Sequence, residues 1–296
     1  MLTTEEAFAK FRTRLELTQR EQENASERQR EIRAHMEESF HVEHDFLTGS
    51  YARHTKTKPL KDVDIFCVLG EGDRHYRDKK PGVLLSAVEE ALANTYGTSA
   101  VKRQRRSVTI DFGIEVKEDF SEEKVVSFDV VPAFAFDDHY EIPDTATSDG
   151  WTETNPRVHA EKAVEAHEAF DGEWKGLVRM VKYWNNTHRK PIRPSFLIEV
   201  IALEVLHPPY GGRRDREIQS FFATLADRIF DTWEDPAGLG PPVSDMMDET
   251  QKRAAAVALK AAEREAAQAI HLGRVGQQGD ALRAWRQLFG PLFPVS

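Results

Sequence analysis

Asp62 and Asp64 stand one residue apart at the head of an apolar run that ends at Leu69, and Asp129 stands in a second run, Phe128-Asp129-Val130-Val131. Aspartate is disfavoured in strands, so acids in two of them need a reason. Side chains alternate along a strand, so Asp62 and Asp64 are expected on one face, and Asp129 on a neighbouring strand could complete a carboxylate cluster. Such a cluster suits Mg²⁺, a hard ion that prefers oxygen ligands and is commonly shared with substrate phosphates. Eleven residues separate Gly49-Ser50 from Asp62, and a Gly-Ser turn can cradle a phosphate on its backbone N–H groups. The implied chemistry is metal-assisted transfer of a nucleotidyl group. The plainer alternative puts Asp62 in a turn and makes Asp64 a cap. It accounts for Asp-x-Asp alone, but not for the third acid with Gly-Ser upstream.

Further groups could hold the nucleotide. Arg179 and Lys182 are three apart in Leu177–Trp184 and share a helix face. Either an ordinary amphipathic helix carries them as solvated charges, or one of them grips a triphosphate. Ser195 follows Pro194 and opens the next helix, where a hydroxyl and free N–H groups favour an anion; a plain N-cap is the alternative. Lys102-Arg103-Gln104-Arg105-Arg106 is the densest basic run, and a solvated loop or strand edge explains it better than a phosphate site. His41 and His44 lack further ligands at zinc spacing. The chain has no Gly-x-x-x-x-Gly-Lys-Ser/Thr loop, no kinase set and no Gly-x-Ser-x-Gly elbow.

The elements that must place these residues are partly legible. Thr3 with Glu6 forms a capping box, and apolar residues at helical spacing to about residue 40 predict one long helix, with a possible break near Asn24-Ala25-Ser26. Residues 62–69 read as a strand. Pro81 opens a helix to Tyr96. Residues 107–116 alternate as a half-buried strand, and 124–131 form another, ended by Pro132. Residues 133–156, rich in Asp, Pro, Thr and Gly, read as a long loop between lobes. Helices are expected over 157–170, 173–188, 195–206, 214–233, 245–272 and 280–288. The fold class is therefore α/β (α+β), with a catalytic lobe including the N-terminal helix over 1–150, a helical lobe over 151–296 and a cleft between them.

The chain has 296 residues, 40% of them hydrophobic and 30% charged, enough for one large core or two smaller ones. Its 40 basic and 50 acidic residues give a net charge of -10, which argues against extensive nucleic-acid binding. The single cysteine, Cys67, excludes an internal disulfide and a cysteine-rich zinc module, and core filling is its expected role. The sequence contains no membrane-length apolar stretch and no signal peptide, so a cytoplasmic location is expected.

With these residues in view, the chain resembles the polymerase-β-like nucleotidyltransferases. Within them it is similar to the bacterial oligonucleotide cyclases (CD-NTases), relatives of cyclic GMP–AMP synthase and oligoadenylate synthase that serve CBASS anti-phage systems. The matching segments are Gly49-Ser50-Tyr51-Ala52-Arg53, residues 60–65, Ser107-Val108-Thr109, residues 129–132, residues 177–184, residues 194–199 and residues 285–290. The resemblance implies a mixed-sheet catalytic lobe, an oligoadenylate-synthase-like helical lobe and an N-terminal helix bracing both. It implies Asp62, Asp64 and Asp129 as catalytic residues that bind two Mg²⁺ ions, with Mn²⁺ as a substitute. It also implies a nucleotide site of Gly49, Ser50, Arg53, Lys182 and Ser195. With the ions bound, an acceptor 2′- or 3′-hydroxyl would lose its proton more readily, Asp129 being the group to receive it, and the leaving pyrophosphate would be neutralised. Before metal arrives, the carboxylates should raise one another's pKa.

The implied substrates are NTPs, ATP first among them. The implied product is a cyclic oligonucleotide containing adenine, of three bases as in the cyclic-triadenylate group, acting on a downstream effector; a regulatory protein could control the enzyme. A rival within the same chemistry is a template-independent RNA or tRNA nucleotidyltransferase or a nucleotidylating toxin, which would need a long basic surface. A catalytically dead scaffold is the rival from another class, and three intact acids argue against it.

Overall fold

The computed structural model describes residues 2–116, 123–148 and 150–296. Its contacts divide the chain into two units, Leu17–His159 and Met1–Glu16 with Ala160–Ser296. The expected division at residue 150 placed the whole N-terminal segment with the catalytic lobe. Its first turns belong with the helices instead, because their apolar face packs there.

The first unit is a mixed sheet backed by helices. Its strands are β1 (Val42–Leu47), β2 (Val63–Leu69), β3 (Val101–Arg103), β4 (Val108–Asp111), β5 (Ser127–Phe136), β6 (His139–Pro143) and β7 (Trp151–Thr154). The sheet order is β1-β2-β5-β4-β3, with β6 and β7 added beyond β5. β2 and β5 run parallel and in register, so Asp64 lies opposite Asp129, and β4 runs antiparallel to β5 with Thr109 opposite Asp129.

The period-2 pattern then sorts the faces. Val63, Ile65, Cys67, Val108, Ile110, Phe128 and Val130 share one core with Ile32 and Met36 of α2 (Gln19–Glu37) and with Leu84, Val88 and Leu92 of α4 (Pro81–Tyr96). Phe66, Val68, Val131 and Ala133 form a second cluster with Tyr140 and Ile142. Asp64 and Asp129 belong by alternation to this second face. Burial of Cys67 in the first core pushes its thiol pKa up, in keeping with a packing role.

Several local expectations change, among them the strand expected over 107–116, which spans only Val108–Asp111. The predicted long N-terminal helix is two helices, α1 (Thr4–Leu15) and α2, because a second capping box, Thr18 with Glu21, restarts the chain. β1 was not foreseen. β5 does not end at Pro132 but continues to Phe136. β4 pairs only as far as Val130 and β6 begins only at Phe134, so Pro132 falls where one edge of β5 has no partner and a missing N–H is tolerated. The segment read as a long loop forms β6 and β7, paired antiparallel; its residue 149 lies outside the described residues. Asp144, fully buried there, takes Arg105 at 2.5 and 2.8 Å and Arg106 at 2.7 Å. Arg103 bonds to Ser86 and Glu89, so most of the basic run is committed to structure.

The second unit is helical: α1, α5 from Ala160 (Pro156–Ala169 in full), α6 (Trp174–Thr187), α7 (Phe196–Val205), α8 (Arg214–Arg228), α9 (Glu249–Arg274) and α10 (Gln278–Phe289). Phe8 of α1 meets Trp285 of α10 edge-on at 4.9 Å, and Phe11 meets Tyr183 of α6 at 5.8 Å. Among the described residues no helix is long and apolar enough to cross a membrane.

Candidate active site

β2 and β5 set two of the three acids by strand geometry. Asp64 and Asp129 are partners on neighbouring parallel strands and stand side by side on one face. Asp62 is placed differently. It sits one residue ahead of β2 with φ at 51°, in the left-handed region. The turn alternative is thus correct for its backbone, and alternation does not orient it. Its N–H donates to Ser127 Oγ at 2.8 Å, the Ser127 hydroxyl donates to Asp62 Oδ1 at 3.0 Å, and Lys56 Nζ donates to the Asp62 carbonyl at 3.1 Å.

Asp129 accepts a hydrogen bond from the Thr109 hydroxyl at 2.5 Å. Burial raises its pKa, the Thr109 bond opposes the rise, and the charges of Asp64 and Asp62 add to it, leaving it at about 6. The expected mutual repulsion operates, but burial is the larger cause. An uncompensated carboxylate in that position favours whatever cation can neutralise it.

Gly49 opens the four-residue turn of helix α3 (Gly49–Ala52), with Ser50 beside it, and adopts a φ of 61°. A Cβ there would lie 1.8 Å from Asp64 Oδ2, so the backbone of the Gly-Ser turn lies directly against this acid. The Thr48 N–H donates to the Asp64 carbonyl at 2.9 Å and pins the turn to β2. Arg53, just past the turn, is buried, and its N–H donates to the Gly49 carbonyl.

Among the described residues no three His, Cys, Asp or Glu side chains are gathered into a metal-holding group. The donor chemistry nevertheless fits a divalent ion of the Mg²⁺ type. Every candidate ligand is a hard carboxylate oxygen, and the missing Cβ at Gly49 leaves the room that the Asp64 carboxylate occupies. Asp62, Asp64 and Asp129 are the residues that would hold it.

Lys182 and Ser195 lie in the helical unit, and Arg179 with them. The solvated-face alternative for the cations does not hold, since both are buried. Arg179 Nη2 pairs with Glu16 Oε1 at 2.9 Å, and Lys182 Nζ pairs with Glu199 Oε1 at 2.5 Å. Ser195 precedes α7 but makes no side-chain cap bond. Its exposed residue lines a cavity of about 430 Å³ with Asn186, Lys190 and Arg193. Asn185 shapes the entry to α7 by donating to the Ile192 carbonyl at 3.0 Å and accepting the Ile192 N–H at 2.9 Å.

Sequence reasoning assigned no role to Ser127, Lys56 or Glu199. Ser127 carried one usable signal, since it lies two residues before Asp129 and so shares its strand face; the others carried none. Lys182→Ala breaks the buried ion pair with Glu199 and should cost on the order of 3–5 kcal/mol, measured by urea unfolding. A loss under about 1 kcal/mol would show that the pair does not support the fold.

Residues 1–166 match the Second Messenger Oligonucleotide or Dinucleotide Synthetase domain. A Bacillus cereus protein named "Probable cyclic nucleotide synthase" is 30% identical over 274 residues, spanning 83% of this chain and 81% of its own. The "Cyclic AMP-AMP-AMP synthase" of an Acinetobacter species is 29% identical over 285 residues, spanning 90% of this chain and 77% of its own. Among solved structures, Escherichia coli CdnC with ATP superposes with a TM-score of 0.72 over 99% of both chains at 18% identity. The same protein in a CdnC:HORMA-deltaN complex gives 0.70 over 98% of both chains at 19% identity. The expected mixed α/β fold is shared with these solved structures.

Proposed function

Because the chain belongs to the Second Messenger Oligonucleotide or Dinucleotide Synthetase family and is a nucleotidyltransferase of the cyclic nucleotide synthase kind, we propose that it makes an adenine-containing cyclic oligonucleotide, a ring of three bases, from NTPs in a Mg²⁺-dependent reaction. The observation that carries the metal-dependent part is Asp64 in register with Asp129, with Asp62 beside them and the Gly49 backbone against Asp64. The similarity to a cyclic AMP-AMP-AMP synthase supports adenine and ring size.

In this reading Asp62, Asp64 and Asp129 hold the divalent ion. When bound, such an ion would stabilise the negative charge that develops at the acceptor oxygen and on the departing pyrophosphate. Asp129, held by Thr109, is the group placed to receive the hydroxyl proton, and its raised pKa suits that task. The N–H groups of Gly49 and Ser50 position the donor triphosphate, with Arg53 behind them. Lys182 and Ser195 carry the nucleotide-binding role of the helical unit, with Glu199 holding Lys182 in place.

The proposed setting is CBASS anti-phage defence, with an effector downstream. The HORMA complex of the structural neighbour supports a regulatory protein partner of the same kind. Net charge of -10 disfavours the RNA-modifying rival, which needs an extended basic track. Purified protein incubated with all four NTPs and Mg²⁺, then phosphatase, should yield a resistant product whose mass matches a cyclic trinucleotide with adenine. A ladder of linear oligomers, label transferred to added tRNA, or product without adenine would overturn the proposal.

A further inference from the structure

Of the three candidate metal ligands, Asp62 alone has no strand to orient it. Its left-handed backbone is a conformation that side-chain-bearing residues rarely adopt, and asparagine and aspartate are among the few that visit it. Its carboxylate is exposed, so packing does not fix it either. What does fix it is one hydroxyl. Ser127 Oγ accepts the Asp62 N–H and donates its own proton to Asp62 Oδ1, so a single atom ties backbone and side chain together. Ser127 is buried on β5, two residues before Asp129. The strand that carries one ligand therefore also carries the anchor of another, 65 residues away in sequence.

Thr109 on β4 makes the equivalent contact with Asp129 Oδ1. Two of the three carboxylates thus have one oxygen held by a hydroxyl from the sheet, with the other oxygen left for the ion.

We propose that Ser127 is a positioning residue of this site: its hydroxyl holds Asp62 in the left-handed turn and fixes one carboxylate oxygen, so that the other joins Asp64 and Asp129 in binding the divalent ion. The inference rests on the metal-dependent function proposed above. Partners that orient a metal ligand typically govern metal affinity by 10–100-fold, and Ser127→Ala should weaken the site by that factor.

The test is direct titration of the full chain with Mn²⁺, read by electron paramagnetic resonance with a non-hydrolysable ATP analogue present, alongside thermal melting and turnover. Ser127→Ala should melt near the wild type, bind Mn²⁺ 10–100-fold more weakly, and recover much of its kcat at high metal concentration. Ser127→Thr keeps the hydroxyl and should restore the affinity. Ser127→Cys, with a weak thiol donor, should fall between them and serves if the alanine variant does not fold.

Unchanged Mn²⁺ affinity in a folded Ser127→Ala or Ser127→Cys protein overturns the proposal, as does a kcat loss that no metal concentration recovers. Wild type that binds Mn²⁺ yet makes no cyclic product overturns the proposed function alone, and the Ser127 titration still decides the anchor. Wild type that binds no Mn²⁺ overturns both.

Discussion

Asp129→Asn should abolish product formation and, in metal-free buffer at pH 8, melt at a higher temperature than the wild type. The two effects share one cause. The Asp129 pKa of about 6 in the folded protein lies above its ordinary value of 3.8, chiefly through burial. Between those values the folded state binds more protons than the unfolded state, so stability falls as pH rises from about 4 to about 6 and stays lowered above it. The shift corresponds to a penalty on the order of 2–3 kcal/mol. Asparagine removes the charge, and its Oδ1 can still accept the Thr109 hydroxyl. The wild-type deficit should close at pH 4, and at pH 8 added Mg²⁺ should raise the melting temperature of the wild type but not of the variant. Product from a folded Asp129→Asn protein, or a variant that melts lower at pH 8 than at pH 4 relative to wild type, would contradict the assignment of Asp129.

Gly49→Ala is expected to abolish activity as completely, through shape alone. Its Cβ would stand 1.8 Å from Asp64 Oδ2 and 2.7 Å from Asp64 Cγ. Contacts that short cannot persist, so either Asp64 turns away or the Gly-Ser turn lifts off β2. The substitution also forces a side-chain-bearing residue to a φ of 61°, which costs about 1 kcal/mol. Gly97→Ala separates the two effects. Gly97 also has a positive φ, 86°, but nothing lies within 4 Å of its Cβ. With ψ at 148° it should lose at least as much stability and keep its turnover. If Gly49→Ala retains turnover near that of Gly97→Ala, the contact with Asp64 has no catalytic role.

Much of the architecture could be read from local pattern. The helix predicted from Pro81 to Tyr96 has those bounds, and the strand ahead of Leu69 begins one residue later than expected, at Val63. The helices of the second half fall near their predicted places. Each of these depends on side-chain period, capping or a proline start, all of which act within a few residues. The N-terminal helix was misread for a local reason too, since Thr18 and Glu21 repeat the Thr3–Glu6 signature.

The strand ending and the loop were misread for a different reason. Pro132 and the polar segment after it look like breakers in isolation. Whether a proline interrupts a strand depends on which neighbours pair at that position, and β4 and β6 leave it a gap.

The same division runs through the site. By itself the sequence determined that Asp64 and Asp129 lie in strands, that Gly-Ser precedes them, and which family the chain belongs to, because strand pattern and motif spacing are local. Only the tertiary structure decided that Asp129 is buried enough to keep its proton to about pH 6, that Ser127 orients Asp62, and that Lys182 is paired with Glu199 rather than solvated. Those properties depend on what surrounds a group, and the groups concerned come from strands and helices far apart in the chain. Burial and hydrogen-bond partners are set when such elements pack, and no local period records them.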